Sequence, residues 1–337
     1  MKRFLFLCIC CYQVVVVMVV GQTLQWKNDI VLNDDSPIVR VIVTPTSTLL
    51  IGYANGIIQS WSPSASTIWY RCYANLLDMA IDPQCTIHCS LYLHTQTCHD
   101  QNCHHTIFSR SIASNTNVIL YEQNASDDGT RGGMTLSTDG QFLFFAIGHQ
   151  MLRIQIGINC LDTYCIPVDN PFENETYAIG LHNITFCYFD YFLNRAVCVD
   201  QGVTLGDAVV VIYPRSNYGW PNREIGSCLS DTSDCDYPLY YEMPIFTHSN
   251  IHQLKMAFVY RGIHLPNRYF NKVIAMNSDG LFLSSGSTTR NTIQSFRAIL
   301  LHTSYQYLSM FQDATGDIFV LVNNGTNTSV QRFIAMQ

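Results

Sequence analysis

Residues 94–105, "HTQTCHDQNCHH", place His94, Cys98, His99, Cys103, His104 and His105 within twelve positions. Thiolate and imidazole at such spacing can ligate zinc. Two cysteines five apart in an oxidising compartment close a disulfide instead. No second Cys/His set at finger spacing completes a structural zinc site, so a Cys98–Cys103 bridge flanked by solvated histidines is expected. The stretch "GTRGGMTLSTDGQFLFFAIGHQ" (129–150) raises a different question. A glycine pair at a strand entrance marks backbone that comes close to something, and the hairpin ends at His149. Tyr218 and Trp220 in "NYGWP", with His248 and His252 in "FTHSNIHQ", are the remaining candidates for a ligand face. The plainer reading packs the two aromatics between sheets and leaves the two histidines on a polar loop. No Ser/His/Asp set or paired carboxylates with recognisable spacing is present.

The compartment decides how those cysteines behave. Lys2 and Arg3 precede an apolar run from Phe4 to Val20, and Val19 and Gly21 are small enough for cleavage before Gln22. This is the layout of a secretory signal over 1–21, a signal anchor being the rival reading. The remaining chain is expected to be soluble and extracellular, with no further membrane segment. Without Lys2 and Arg3 the 18 basic residues fall to 16, against 25 acidic ones and without a basic cluster, which argues against nucleic-acid partners. Three of the 14 cysteines lie in the signal. Of the other eleven, Cys98 with Cys103, Cys160 with Cys165, Cys187 with Cys198, and Cys228 with Cys235 are close enough in sequence to pair. Cys72, Cys85 and Cys89 remain, so either one thiol is free or the pairing differs. Sequons at Asn124, Asn174, Asn183, Asn324 and Asn327 fit a secreted glycoprotein.

Helical periodicity is nearly absent, while Val, Ile, Thr, Tyr and Phe are abundant, so the fold is expected to be all-β. Strand, tight turn and strand recur in "VRVIVTPTSTLLIGYANGIIQSWS", "MTLSTDGQFLFFAIG", "FCYFDYFLNRAVCVD", "VIAMNSDGLFLSSG" and "SMFQDATGDIFVLVNNG". Such units spread from residue 39 to 325 suggest repeated antiparallel blades. Six blades of about 52 residues fit the mature length, as a six-bladed β-propeller forming one domain over 22–337. Two stacked sandwiches are the rival, but no linker or composition break divides the chain.

From residue 160 the order of motifs becomes specific: "NPF…YAIGLHN", "RAVCVDQG", "NYGWP", "GSCLSDTSDC", "YYEMPIFTHS", "VYRG" and "FQDATGDIFVLV". The series resembles the glucose/sorbosone dehydrogenase propellers and, among them, the Hedgehog-interacting-like branch of secreted animal proteins. The resemblance implies a six-bladed propeller, a bridge between Cys187 and Cys198, and a second pair at Cys228 and Cys235. Enzymes of this family hold pyrroloquinoline quinone and calcium over the propeller axis and oxidise sugars with a histidine base in a His-Asn-Gly-Gly motif.

The matching positions here are Thr130, Arg131, Gly132 and Gly133. An unactivated hydroxyl has no basic lone pair near neutral pH, so Thr130 cannot replace that imidazole. The family's "TGDGG" and long site loop are reduced to Ile147-Gly148-His149-Gln150, and its Gly-Leu-Arg-Asn becomes Gly180-Leu181-His182-Asn183. An arginine that can contact an anionic cofactor is thereby lost. Asp200-Gln201-Gly202 matches the segment supplying calcium ligands in the enzymes, with Asp207 nearby; a plain blade turn is preferred, and calcium stays possible. The expectation is a catalytically degenerate extracellular binding protein for a protein or glycan ligand, without quinone. A quinone-dependent aldose dehydrogenase with altered groups, which would need an imidazole such as His149 or His182, is the alternative. Hedgehog binding follows less directly, because the branch's acidic contact loop belongs where this chain runs straight from His149 to Arg153.

Overall fold

A computed structural model describes residues 36–332 other than 45–47, 63–64, 85–88, 100–101, 127–131, 158–159, 161–162, 230–240, 249–252, 285–295, 301–304 and 314–315. The apolar run at 4–20 thus lies outside the described residues, none of which form a helix long and apolar enough to cross a membrane. Among the described residues, apart from a 3₁₀ turn at Asn267–Tyr269, every regular element is a strand.

The strands form six antiparallel blades in chain order. The first is β1 (Ile38–Val43), β2 (Leu49–Tyr53), β3 (Ile57–Ser62) and β4 (Ala65–Arg71); the second is β5 (Asn75–Ile81), β6 (Ser90–His99), β7 (Asn102–Ser111) and β8 (Asn117–Ser126). The third is β9 (Met134–Leu136), β10 (Phe142–Ile147), β11 (Gln150–Gln155) and β12 (Thr176–Ile179). In the fourth, β13 (Ile184–Asp190), β14 (Arg195–Asp200) and β15 (Asp207–Ile212) are followed by a small hairpin, β16 (Arg223–Glu224) and β17 (Ser227–Cys228). The blade is then completed by β18 (Phe246–His248), which pairs with β15. The fifth is β19 (Met256–Val259), β20 (Val273–Met276), β21 (Leu281–Ser284) and β22 (Phe296–Leu300), and the sixth β23 (Gln306–Gln312), β24 (Ile318–Asn323) and β25 (Thr328–Arg332). The molecule is a six-bladed β-propeller, and each of the five turn signals in the sequence closes a hairpin.

Local chemistry explains the hairpins. In the β9–β10 turn, Asp139 Oδ1 accepts from the Ser137 hydroxyl at 2.5 Å and from Gln141 N–H at 3.0 Å, while Ser137 Oγ accepts Phe142 N–H at 2.9 Å. This side-chain bonding holds the chain reversal and sets the register Leu136↔Leu143 and Met134↔Phe145. The core lies between blades rather than at one centre. Leu49, Ile51 and Trp61 of the first blade pack on Phe311, Phe319 and Leu321 of the sixth, which closes the ring. Strands sandwiched this way bury both faces, as in β15, where all six residues are buried.

Candidate functional site

Strands β1, β5, β9, β13, β19 and β23 contact one another in a ring and line the propeller axis. Their starting ends share one end of the molecule with the β10–β11 turn at His149 and the loop after Asp200, here called the axial face. Two charged residues meet on this axis from β1 and β5. Arg40 Nε donates to Asp78 Oδ1 at 2.7 Å, and Nη2 to Asp78 Oδ2 at 2.8 Å. The same Nη2 also reaches the carbonyls of Met134 and Cys187, each at 2.8 Å, and the guanidinium carbon sits 4.1 Å from the Phe186 ring centre. One ion pair therefore ties together blades one to four.

The glycine pair receives this carboxylate. Gly133 N–H and Met134 N–H donate to Asp78 Oδ2 at 3.1 and 2.7 Å, and Met79 N–H donates to Oδ1 at 2.8 Å. A Cβ on Gly132 would lie 2.4 Å from the Leu77 carbonyl oxygen, and one on Gly133 would lie 2.1 Å from Ile184 Cγ2. Both glycines also have positive φ, +134° and +90°. The pair is needed so that the backbone can enter between β5 and β13. Burial raises the Asp78 carboxyl, opposed chiefly by Arg40. A carboxyl that accepts five hydrogen bonds, two of them from a permanent cation, is held ionised opposite Arg40. Beyond Arg40 the axis continues as a cavity of ≈ 250 Å³ toward the opposite face, walled by all six inner strands. Thr130 and Arg131 lie outside the described residues.

At the rim of the axial face stand His149, His182 and Trp220. The two imidazoles are stacked with centroids 6.3 Å apart, and Trp220 lies 4.1 Å from His182 and 6.0 Å from His149. His149 is exposed; its Nδ1 is 3.2 Å from the His182 carbonyl oxygen. His182 Nδ1 donates to the Gln201 carbonyl at 2.5 Å. Asp200 is held beneath, its Oδ1 accepting N–H from Asn183 at 2.7 Å and from His182 at 3.1 Å. Burial pushes the Asp200 carboxyl up to about 6 against those two donors.

The Gln201–Gly206 loop is closed by its own acids. Asp207 Oδ1 accepts Gly202 N–H at 3.1 Å while Oδ2 accepts Leu254 N–H at 2.6 Å, and Glu224 accepts N–H from Thr204 at 3.0 Å and Leu205 at 3.1 Å. The cavity among His182, Asp200, Trp220 and Glu224 measures ≈ 20 Å³, about the room of one water. Among the described residues no group of three or more His, Cys, Asp or Glu is placed to hold a metal ion.

The other singled-out residues are dispersed. Cys98–Cys103, Cys160–Cys165 and Cys187–Cys198 are bridged. Cys228 is disulfide-bonded, and Cys235 lies outside the described residues. Cys89 is also bonded, Cys85 is not described, and Cys72 is a free buried thiol, raised by burial. The Cys/His cluster corrects one expectation: His99 and His104 are solvated, but His94 and His105 are fully buried. Their rings meet at 3.0 Å, Nε2 to Nδ1, and His94 Nδ1 has no partner. The inner stretches of β6 and β7 lie between neighbouring blades, so a polar spelling there does not mean solvent, whereas their ends at His99 and His104 are exposed. Asn124, Asn174, Asn324 and Asn327 are exposed, whereas Asn183 is half-buried at the axial rim with Oδ1 lacking a partner. Tyr218 packs in the core between blades three and four, as read from sequence, but Trp220 stands on the rim. His248 pairs through its backbone with Asp207, and His252 is outside the described residues.

With the propeller and its axial face defined, similarity to known proteins can be read. A family model described as Glucose / Sorbosone dehydrogenase matches residues 37–281. The chain belongs to the glucose/sorbosone dehydrogenase family. No curated protein matches it. Among solved structures, a glucose dehydrogenase superposes with TM-score 0.70 at 14% identity, over 90% of this chain and 97% of that one. The soluble aldose sugar dehydrogenase of Escherichia coli, in its apo form, gives 0.66 at 15% identity, over 88% and 96%. The PQQ-bound aldose sugar dehydrogenase of Streptomyces coelicolor gives 0.62 at 13%, over 88% and 93%. At such identities the likeness is one of fold.

Sequence reasoning missed Arg40 and Asp78, which dominate the axis of this glucose/sorbosone dehydrogenase propeller. A signal existed: each is a lone charge inside an apolar strand, "IVRVIV" and "NLLDMAI". A buried charge needs an opposite partner, and these two strands begin consecutive blades. Glu224 gave no comparable signal, because its role depends on a loop closing twenty residues earlier.

Proposed function

We propose that this family member is a secreted, disulfide-bonded glycoprotein that binds an extracellular protein or glycan and has lost quinone-dependent sugar oxidation, as a relative of the Hedgehog-interacting-like branch. The Arg40–Asp78 pair carries this reading. It occupies the axis directly below Gly132 and Gly133, the glycines of the motif that in the enzymes presents the base. Among the described residues the space beside His182 is ≈ 20 Å³, far below the ~300–1,000 Å³ of ordinary ligand pockets, which argues against pyrroloquinoline quinone there. Calcium takes roughly 6–8 oxygen ligands. Here Asp200, Asp207 and Glu224 already accept backbone N–H bonds, and the Gln201 carbonyl accepts His182. The signal, the sequons and the three bridges support export. A Hedgehog amino-terminal domain passed over the immobilised, secreted protein tests the branch: saturable retention supports it, and no measurable affinity removes that partner.

The second reading is a sugar dehydrogenase with rearranged groups, favoured by the exposed His149 stacked on His182 beside Trp220. An imidazole is a competent general base near neutral pH. Aldose oxidation abolished by His149→Ala would establish it.

A further inference from the structure

At the end of the axis opposite His149, a cleft of ≈ 490 Å³ opens between blades three and four, bounded by the β9–β10 and β13–β14 turns. It lies within the size range of small-ligand sites, and none of the axial-rim residues lines it. Aromatic walls come from Phe142, Phe144, Tyr177, Phe189 and Tyr213. At its edge Arg153 is locked in place: the guanidinium stacks 4.6 Å from the Tyr177 ring centre and 5.0 Å from that of Phe142, Nε donates to Asn170 Oδ1 at 2.7 Å, and Nη2 pairs with Asp169. Arg153 lines the cleft, and its Nη1 has no hydrogen bond among the described residues. We propose that this cleft is a binding site for a neutral saccharide ring, separate from the axial face.

Charge and shape select that ligand class. The cleft is lined by two cations and two carboxylates, Arg153 and Arg195 against Asp139 and Asp169, so its charges balance without an anion, while Asp190, 3.4 Å from Arg195, is held mainly by Arg261 at 2.6 Å. An apolar ligand would strand the Arg153 Nη1 donor and the Asp169 carboxylate, which is 69% exposed, at a cost in unmet hydrogen bonds. A pyranose has both requirements in one body: a C–H face for an aromatic wall, and hydroxyls that accept from Nη1 and donate to Asp169 or Asp139. The rigid Arg153 lowers the ordering needed on binding.

The test is calorimetric titration of the secreted full-length protein with maltose and with cellobiose, in an Asn174→Gln background that keeps the chain's own glycan away from the cleft. Saturable binding is expected for at least one sugar, with Kd on the order of 1 mM. Tyr177→Ala should weaken it about tenfold and Asp169→Asn, at an exposed position that leaves folding intact, about threefold, while Trp220→Ala changes nothing. The proposal is overturned if neither sugar binds, or if benzoate binds in their place. It is equally overturned if Trp220→Ala abolishes binding that Tyr177→Ala retains, which would move the sugar to the axial face and favour the enzymatic reading instead.

Discussion

Arg40 and Arg153 each rise from a strand, stack on an aromatic ring and pair with an aspartate, yet one closes the centre of the propeller and the other borders an open cleft. The difference lies in the acid and in what surrounds it. Asp78 is 2% exposed and receives backbone N–H groups from the glycine hairpin as well as the guanidinium; Asp169 is 69% exposed. On the axis both Asp78 oxygens and the Arg40 Nε and Nη2 are bonded within blades one to four, which fixes those blades together. In the cleft, half of the pair faces water and is left for a ligand. The same residue types make a plug or a wall according to depth alone.

The largest expected effect comes from breaking the plug. Asp78→Ala leaves Arg40 and the backbone donors of Met79, Gly133 and Met134 unmatched in the interior, with an expected loss of about 3–5 kcal/mol. The yield of folded protein and the urea midpoint read it directly; wild-type values would refute the role assigned to the pair. Gly133→Ala comes next, since it combines a 2.1 Å approach to Ile184 with φ +90° and should cost about 1–3 kcal/mol. An unchanged midpoint would mean that the glycine is not required by geometry.

Acid titration separates two further buried groups. Burial and His105 hold His94 well below its ordinary value, so the native state binds fewer protons than the unfolded chain. Its contribution is fully present above about pH 6.5 and is lost as pH falls, at up to about 1.4 kcal/mol per unit. Asp200 acts in the opposite sense. Its carboxyl, raised to about 6 from 3.8, makes the native state bind more protons in that interval, so its contribution is present below 3.8 and is lost as pH rises through about 6. Urea midpoints between pH 4.5 and 8 should show the acid-side slope of His94 disappear in His94→Gln. A slope that persists would assign it to other groups. Asp169→Asn should have the smallest effect on stability, about 0–1 kcal/mol for an exposed pair. A loss comparable to that of Asp78→Ala would erase the contrast between the two arginines.

The blades were legible because hairpins are local: in 134–147 alternation and Ser137-Thr-Asp139-Gly140 specify strand, turn and register within one short segment. β18 was not, since it returns to β15 after the separate β16–β17 hairpin and only tertiary pairing identifies it. His182 and the turn at His149 were legible because both fall at positions of the motifs that carry the family resemblance. The plug could not, because Arg40 and Asp78 share no motif and meet only when blades one and two stand side by side. His94 hides its burial for a related reason: "HTQTCH" spells a polar strand, and the side chain is covered only when Phe145 of blade three packs beside it.

The most direct test of the closed axis is titration of the purified full-length protein with pyrroloquinoline quinone and calcium, followed by an aldose panel and dye reduction. No saturable quinone uptake and no aldose-dependent reduction are expected. Stoichiometric uptake with sugar-driven reduction would contradict a closed axis.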